Sequence, residues 1–367
     1  MKKTLGIYLH IPFCVRKCKY CDFLSGPAET GVQEQYIEML LKEMNEYKVL
    51  LGDRRISTIF FGGGTPSILN GESIFAIMEK IRNLGEISEN AEISIEANPG
   101  TVTEEKLQWW KKAGINRISF GLQSADNEEL KRLGRIHTWE AFVDNYHLAR
   151  KYGFENINVD LMSALPGQTV DSWKETMKKV TALNPEHISA YSLIVEEGTP
   201  FFEAYGEHPE LLPTEEDERA MYYETKSFLA SQGYERYEIS NYAKPGYECR
   251  HNLSYWERAD YLGLGLGAAS LLGNVRKSNQ TELTEYLKGN YEGEEEALTE
   301  ISAMEEYFFL GLRKMQGVDV TPYEEQYKDV VEKLMQEGLL ERQGNDIRLT
   351  ELGIDVSNYV MSEFLVE

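Results

Sequence analysis

Cys14, Cys18 and Cys21 stand on one short run, Cys14-Val15-Arg16-Lys17-Cys18-Lys19-Tyr20-Cys21, in the order CxxxCxxC. A cubane iron–sulfur cluster needs four ligands, and this run supplies three thiolates. One iron is thereby left open. An open iron on such a cluster can chelate a small molecule and pass it an electron, so the spacing points to S-adenosylmethionine (SAM) and radical chemistry. A zinc knuckle or a redox-sensitive loop fits the cysteines alone. Phe13, Tyr20 and Phe23 are expected to limit water at the cluster, or simply to anchor the loop.

The elements that must hold this loop are legible as an alternation. Short apolar, β-branched runs near 4–10, 57–61, 92–97, 117–122, 157–162 and 187–193 read as strands. Helical spacing fills the stretches 33–50, 72–84, 103–113, 139–151 and 170–182. Six such units predict an α/β fold, a parallel sheet curled into a partial (β/α)6 TIM-type barrel with its site at the C-terminal strand ends. Past residue 200 the alternation breaks down. A helix over 214–231 precedes a strand near 237–242 and the segment around His251. From 301 onward two helices, a two-stranded wing across Gln343-Gly344-Asn345-Asp346 and a last helix suggest a winged-helix-like α+β appendix. The expected divisions are 1–200 (partial barrel), 201–300 (barrel extension) and 301–367 (appendix).

Candidate ligand-binding residues fall at the strand ends. Gly62-Gly63-Gly64-Thr65-Pro66 follows the second strand, where glycines let backbone amides approach a ligand; a tight turn explains them equally well. Glu96 and Gln123 end the third and fourth strands and could hydrogen-bond a sugar or an amino acid, or simply face solvent. Asp160 interrupts the apolar strand Asn158-Val159-Asp160-Leu161-Met162 and needs a partner if buried, with Arg135 as the structural candidate.

His10-Ile11-Pro12-Phe13 ahead of the first cysteine and Tyr20 before the last resemble the cluster loop of radical SAM proteins. The branch is the one containing oxygen-independent coproporphyrinogen III dehydrogenase and the heme chaperone HemW. Gly62 to Pro66 resemble the family's GGGTP element, and Arg135, Asp160 and Leu165-Pro166-Gly167-Gln168-Thr169 are placed as in that family. The resemblance implies a 4Fe-4S cluster on Cys14, Cys18 and Cys21. It also implies a SAM site lined by Tyr8, Gly63, Gly64, Thr65, Glu96, Gln123, Arg135 and Asp160, and a porphyrin-related role.

Three departures weigh against the dehydrogenase: a short segment before the first strand, Phe23 where that enzyme carries one more cysteine, and His251-Asn252-Leu253-Ser254-Tyr255-Trp256, similar to the HNxxYW motif of the heme chaperones. On that resemblance His251 is expected to contact heme, with Tyr255 and Trp256 walling the macrocycle; a satisfied histidine in a packed turn is the plainer reading. Cys249 is best read as a free, inert thiol. The expected function is binding heme and passing it to an apo-hemoprotein, with no residue assigned to catalysis. Oxidative decarboxylation of coproporphyrinogen III, or radical chemistry on another substrate, is the enzymatic alternative.

Composition bounds the rest. The 367 residues exceed one typical domain and suffice for a full core. Three of the four cysteines clustered on one loop suit a reducing compartment and a metal site, so a cytoplasmic location is expected. No apolar run of spanning length is present. A net charge of −23 disfavours nucleic acid, and residues 301–367 carry 14 acidic and 6 basic side chains, which argues against DNA binding by the appendix. The acidic run Glu292-Gly293-Glu294-Glu295-Glu296 reads as a solvated loop. Peripheral association with a membrane through a partner, and a homodimer, are both compatible with this composition.

Overall fold

The computed structural model describes residues 2–366. Six parallel strands form its centre: β1 (Lys3–Ile11), β2 (Arg54–Gly63), β3 (Glu86–Ala97), β4 (Arg117–Gln123), β5 (Asn156–Ser163) and β6 (His187–Ser192), hydrogen-bonded in chain order. Each apolar strand needs cover on both faces, and parallel neighbours need a crossover, so helices follow. Side-chain caps start these helices sharply: Asn70, Thr103, Asp126, Thr138 and Thr169 each accept from a backbone N–H in the first turn. Ile7, Leu9, Phe61, Ile95, Phe120 and Val159 lie in one continuous core with Trp110 and Trp173.

Residues beyond 200 extend both edges of this sheet. β7 (Glu235–Arg236) and β8 (Asn241–Ala243) add to β6 as antiparallel strands, while β9 (Tyr261–Leu264) pairs parallel with β1. β10 (Ala269–Leu272), β11 (Val275–Asn279) and β12 (Glu292–Ala297) continue as an antiparallel meander, completing twelve strands in a sheet that does not close. The partial barrel is therefore open, and its six central strand ends share one rim.

Three local expectations are corrected. The helix expected over 33–50 runs over Thr30–Glu46 and breaks at Tyr47 before a second short helix, Lys48–Asp53. The single strand expected near 237–242 is split into β7 and β8. The acidic run is the edge strand β12, not a loop, because β11 sets Arg276 opposite Glu296 and Lys277 opposite Glu295, where an ion pair forms. Its exposed carboxylates also guard the sheet edge against further pairing.

A second core, built around Phe308, Tyr327, Leu334, Ile347 and Phe364, belongs to the C-terminal residues. There β13 (Val318–Asp319), β14 (Leu340–Gln343) and β15 (Asp346–Leu349) form a small sheet beside the helices Glu300–Gly311 and Glu324–Gln336. β14 and β15 make the wing, turning at Gly344 with φ +64°. Glu306 ties this unit to the barrel, accepting from Arg258 Nε at 2.8 Å and Arg276 Nη2 at 2.6 Å.

One buried carboxylate holds the first strand's surroundings together. Glu43 is fully buried and accepts from Gly265 N at 2.9 Å, Asn279 Nδ2 at 2.6 Å and Tyr286 Oη at 2.5 Å. Nearby, Tyr36 donates to His10 O at 2.6 Å, at the end of β1 from which the cysteine loop departs. Glu43→Ala leaves three buried donors unpaired, and a loss of about 3 kcal/mol in urea unfolding is expected. An unchanged midpoint would show that water replaces the carboxylate at no cost.

Candidate functional site

The cysteine loop is held at both ends and in the middle. Gly26 N donates to Pro12 O at 3.0 Å and Cys14 N to Gly26 O at 2.9 Å, while Lys19 N reaches Leu133 O at 3.1 Å and Phe201 N reaches Lys19 O at 3.0 Å. Phe13 packs edge-on against Tyr36, and Tyr20 joins a small apolar cluster with Leu133, Leu165 and Phe201. Phe23, expected beside them, is 61% exposed. It lies between the mid-loop anchor at Lys19 and Tyr20 and the end anchor at Gly26.

The loop after β2 lies directly against it. Gly64 N donates to Ile11 O at 2.9 Å and Thr65 N to Phe13 O at 2.7 Å. A Cβ on Gly64 would sit 2.7 Å from Phe13 O and 3.0 Å from Cys14 Sγ, so a side chain here would force the two loops apart. Gly63, at φ +108°, would drive a Cβ into the His10 ring.

Two sulfurs receive hydrogen bonds through one network. Thr65 Oγ1 donates to Cys14 Sγ at 3.4 Å, Asn98 Nδ2 to Thr65 Oγ1 at 2.8 Å, Arg135 Nη2 to Asn98 Oδ1 at 2.6 Å, and Arg135 Nη1 to Cys18 Sγ at 3.4 Å. Donors aimed at sulfur are the kind of outer contact that orients a metal-bound ligand. Asn98 is a residue that sequence reasoning missed; its signal was its place just after the third strand, in Glu96-Ala97-Asn98-Pro99. Arg135 is not paired with Asp160, as the structural alternative required. Its guanidinium also bonds Gly121 O, and its Nε is buried without a partner.

Among the described residues no three ligating side chains converge on a point where a single ion could sit. A zinc knuckle needs that convergence. A cubane instead asks each thiolate to hold a different iron, and the donors and the Gly64 cradle suit that group.

Beside the cysteines opens a cavity of about 410 Å³, lined by all three and by Gly63, Gly64, Thr65, Glu96, Gln123, Arg135 and Asp160. Gln123 has φ +75°, just past a bulge in β4, a backbone conformation that side chains disfavour and that aims the strand end at the cavity. Glu96 accepts from Gly63 N at 3.1 Å, and burial, with the Asp160 charge second, pushes its carboxyl up to about 8. Asp160 accepts from Asn158 Nδ2 at 2.7 Å and Ser119 Oγ at 3.2 Å, and burial raises it too. Two carboxylates face one cavity, and neither is in an ion pair among the described residues, although the Arg117 charge acts on both; such a pair suits a cationic ligand. The sulfonium and ammonium of SAM are of that kind.

Tyr8 and His251 line an inner chamber of about 160 Å³ that shares Glu96, Asp160 and Tyr191 with the cavity. Tyr8 Oη meets His10 Nδ1 at 3.1 Å, and burial raises its pKa. His251 lies on the helix Arg250–Trp256, whose first N–H groups donate to buried Glu92. Its imidazole stacks on Phe60, with Nδ1 2.9 Å from Thr58 Oγ1 and Nε2 2.9 Å from Tyr255 Oη. Burial, with Arg117 second, lowers its pKa to about 3 and keeps it neutral. Both of its nitrogens thus have hydrogen-bond partners in this structure. The Trp256 ring lies under Arg313 of the C-terminal unit, 4.4 Å from the guanidinium carbon.

Residues 8–180 match the Radical SAM superfamily and residues 298–356 the HemN C-terminal domain. The solved structure of coproporphyrinogen III oxidase (HemN) from Escherichia coli, a radical SAM enzyme, matches 99% of this chain and 90% of its own at TM-score 0.86 and 26% identity. The chain belongs to the radical SAM superfamily. The heme chaperone HemW of Lactococcus lactis is 35% identical over 100% of this chain and 99% of its own length. Those of Bacillus subtilis and Escherichia coli are 37% and 34% identical over 98% and 99% of this chain, and over 99% and 98% of theirs. Within the superfamily the chain belongs to the HemW family.

Cys18→Ala removes one thiolate and the sulfur that Arg135 addresses. Reconstituted protein is expected to lose the broad absorption near about 410 nm of thiolate-held iron while keeping its circular dichroism. Full iron content in this variant would take Cys18 out of the ligand set.

Proposed function

We propose that this protein is a heme chaperone that holds a 4Fe-4S cluster on Cys14, Cys18 and Cys21, binds SAM in the adjoining cavity, and delivers heme to an apo-hemoprotein. The observation that carries the reading is the juxtaposition of three thiols, two of them hydrogen-bonded by Thr65 and Arg135, with a cavity walled by Glu96 and Asp160. When bound, the cluster supplies an electron and an open iron to the SAM beside it. The chain's own residues do the rest. Gly63 and Gly64 keep their backbone within reach of the ligand, Glu96 and Asp160 face its positive charge, Gln123 and Arg135 close the strand-end wall, and Tyr8 underlies them.

The heme part of the reading is supported by the names of the full-length relatives. A second reading is favoured by one observation, the near-complete match to coproporphyrinogen III oxidase; on it the same cavity would serve decarboxylation. Phe23, where that enzyme's loop carries a further cysteine, supports the first. The chain is proposed to work in the cytoplasm, where the cluster loop stays reduced. No described helix is long and apolar enough to cross a membrane, and contact with one would go through a partner. A homodimer is compatible with the proposal.

Anaerobic titration of cluster-loaded protein with hemin is expected to give a saturable Soret band, and incubation with SAM, a reductant and coproporphyrinogen III no protoporphyrinogen. Turnover without heme binding would reverse the two readings. The SAM site has a test of its own in Glu96. Below about pH 8 the ligand-free carboxyl is protonated, so binding a cation must expel that proton. SAM affinity is therefore expected to fall as pH drops through 8, towards tenfold per unit. Glu96→Gln should lack this component, and its deficit against wild type should widen as pH rises. Parallel pH profiles in calorimetry would free Glu96 from that role.

A further inference from the structure

Among the described residues, Leu165-Pro166-Gly167-Gln168-Thr169 lines no part of the cluster cavity and hydrogen-bonds no cysteine, so the site leaves this motif without a task. It is tied instead to one buried carboxylate. Glu129, 2% exposed and in no ion pair among the described residues, accepts from Gln168 Nε2 at 2.9 Å and Ser124 Oγ at 2.6 Å on one oxygen, and from Ser172 Oγ at 3.0 Å on the other. Gln168 is itself fixed, its Oε1 accepting from Leu165 N at 3.2 Å and its backbone N–H donating to Leu165 O at 2.9 Å. A fully satisfied network of this kind, out of water, makes a stiff joint.

The joint holds the short helix Asn127–Arg132, which carries Glu129, against the helix Val170–Ala182. Leu165 adds an apolar contact at the same place, in one cluster with Leu133 and Tyr20. Directly beyond the short helix, three residues grip the cysteine loop on both sides of Cys18. Leu133 O accepts from Lys19 N at 3.1 Å, Gly134 O accepts from Arg16 Nη2 at 2.5 Å, and Arg135 Nη1 donates to Cys18 Sγ at 3.4 Å. Their own backbone is bonded into the helix, Leu133 N to Glu129 O at 3.0 Å and Arg135 N to Leu130 O at 2.9 Å. A shift of the helix therefore moves all three contacts together.

Building on the reading of Cys14, Cys18 and Cys21 as cluster ligands, we infer that Glu129 and Gln168 are positioning residues for that cluster. Their joint sets the place of the 133–135 clamp, and through it the hydrogen bond from Arg135 to the Cys18 sulfur. Hydrogen bonds and positive charge at a cluster's sulfurs favour its reduced, more negative state and so raise its potential. Loosening the joint lowers the potential without removing a ligand.

Two readouts on the full-length chain test this: the midpoint potential of the reconstituted cluster, and hydrogen exchange at the Lys19 amide in cluster-free protein. Gln168→Leu and Glu129→Leu should each make the potential more negative at unchanged iron content, and speed Lys19 exchange about tenfold. Glu129→Gln should restore both values. Its amide oxygen can still accept from Ser124 and Gln168, while its NH2 donates to Ser172 Oγ, whose own proton can go to Thr169 O at 3.1 Å. In an Arg135→Met background Gln168→Leu should shift the potential no further. Thr225→Val, which takes from the helix Val170–Ala182 the bond that Trp173 Nε1 donates to Thr225 Oγ1 at 2.8 Å, should move neither readout. Ser124→Ala, a milder loss of one donor, reads the same two quantities should Gln168→Leu not fold. Unchanged potential and exchange in the leucine variants, or equal shifts in Thr225→Val, would make the joint a mere scaffold and overturn the inference. A full further shift on top of Arg135→Met would overturn the route through Arg135. Wild-type protein that assembles no cluster would instead sink the proposed function, and the exchange data, which need no cluster, would still decide the clamp.

Discussion

Two backbone hydrogen bonds, Gly64 N–H to Ile11 O and Thr65 N–H to Phe13 O, carry the parallel pairing of β1 and β2 past the strands and into the loops that follow them. The site depends on this continuation. It places Cys14 against the Gly64 backbone at a distance no side chain would allow, and it brings Thr65 within reach of that sulfur. Thr65 then meets Asn98 from just past β3, and Asn98 meets Arg135 from beyond β4, which reaches Cys18. One close loop contact is thereby passed along three strand ends until it returns to the cysteine run.

The interior of the barrel is organised by charge that has few partners. Glu96, Asp160, Glu92 and Arg117 are all carried on central strands, Glu92 and Arg117 fully removed from water and Glu96 and Asp160 partly so, an arrangement that simple packing would not favour. Glu92 is satisfied by the start of the helix Arg250–Trp256, and Arg117 keeps a buried Nε without a hydrogen bond. Glu96 and Asp160 are left facing the cavity with raised pKa values. Groups kept in this condition belong to binding sites more often than to scaffolds. Burial, with the Arg117 charge second, keeps His251 neutral, fitting an imidazole that serves as a packed hydrogen-bonding post between Phe60 and Tyr255.

The helix carrying that histidine also joins the two cores. His251 and Tyr255 face the barrel, while Trp256 lies under Arg313 of the C-terminal unit, where Glu306 binds Arg258 and Arg276. A seven-residue helix thus touches the chamber floor on one side and the C-terminal unit on the other. The motif's polar and aromatic residues are thereby divided between two sides of one helix.

Much of this was legible in the chain. The cysteine spacing, the strand–helix alternation and the motifs at strand ends are local in sequence, and local patterns dictate which elements form and which residues end them. The six central strands lie within a few residues of their expected places for that reason. Asn98 and Arg117 were less legible, because each matters through partners on other strands. Tertiary structure alone decided what no local pattern encodes: that Arg135 serves Cys18 and not Asp160, that the acidic run is a strand because β11 carries its counter-charges, and that both nitrogens of His251 are taken. A residue type declares which bonds it can make. Only the packed fold decides which of those bonds are already made, because that depends on neighbours hundreds of residues away in the chain.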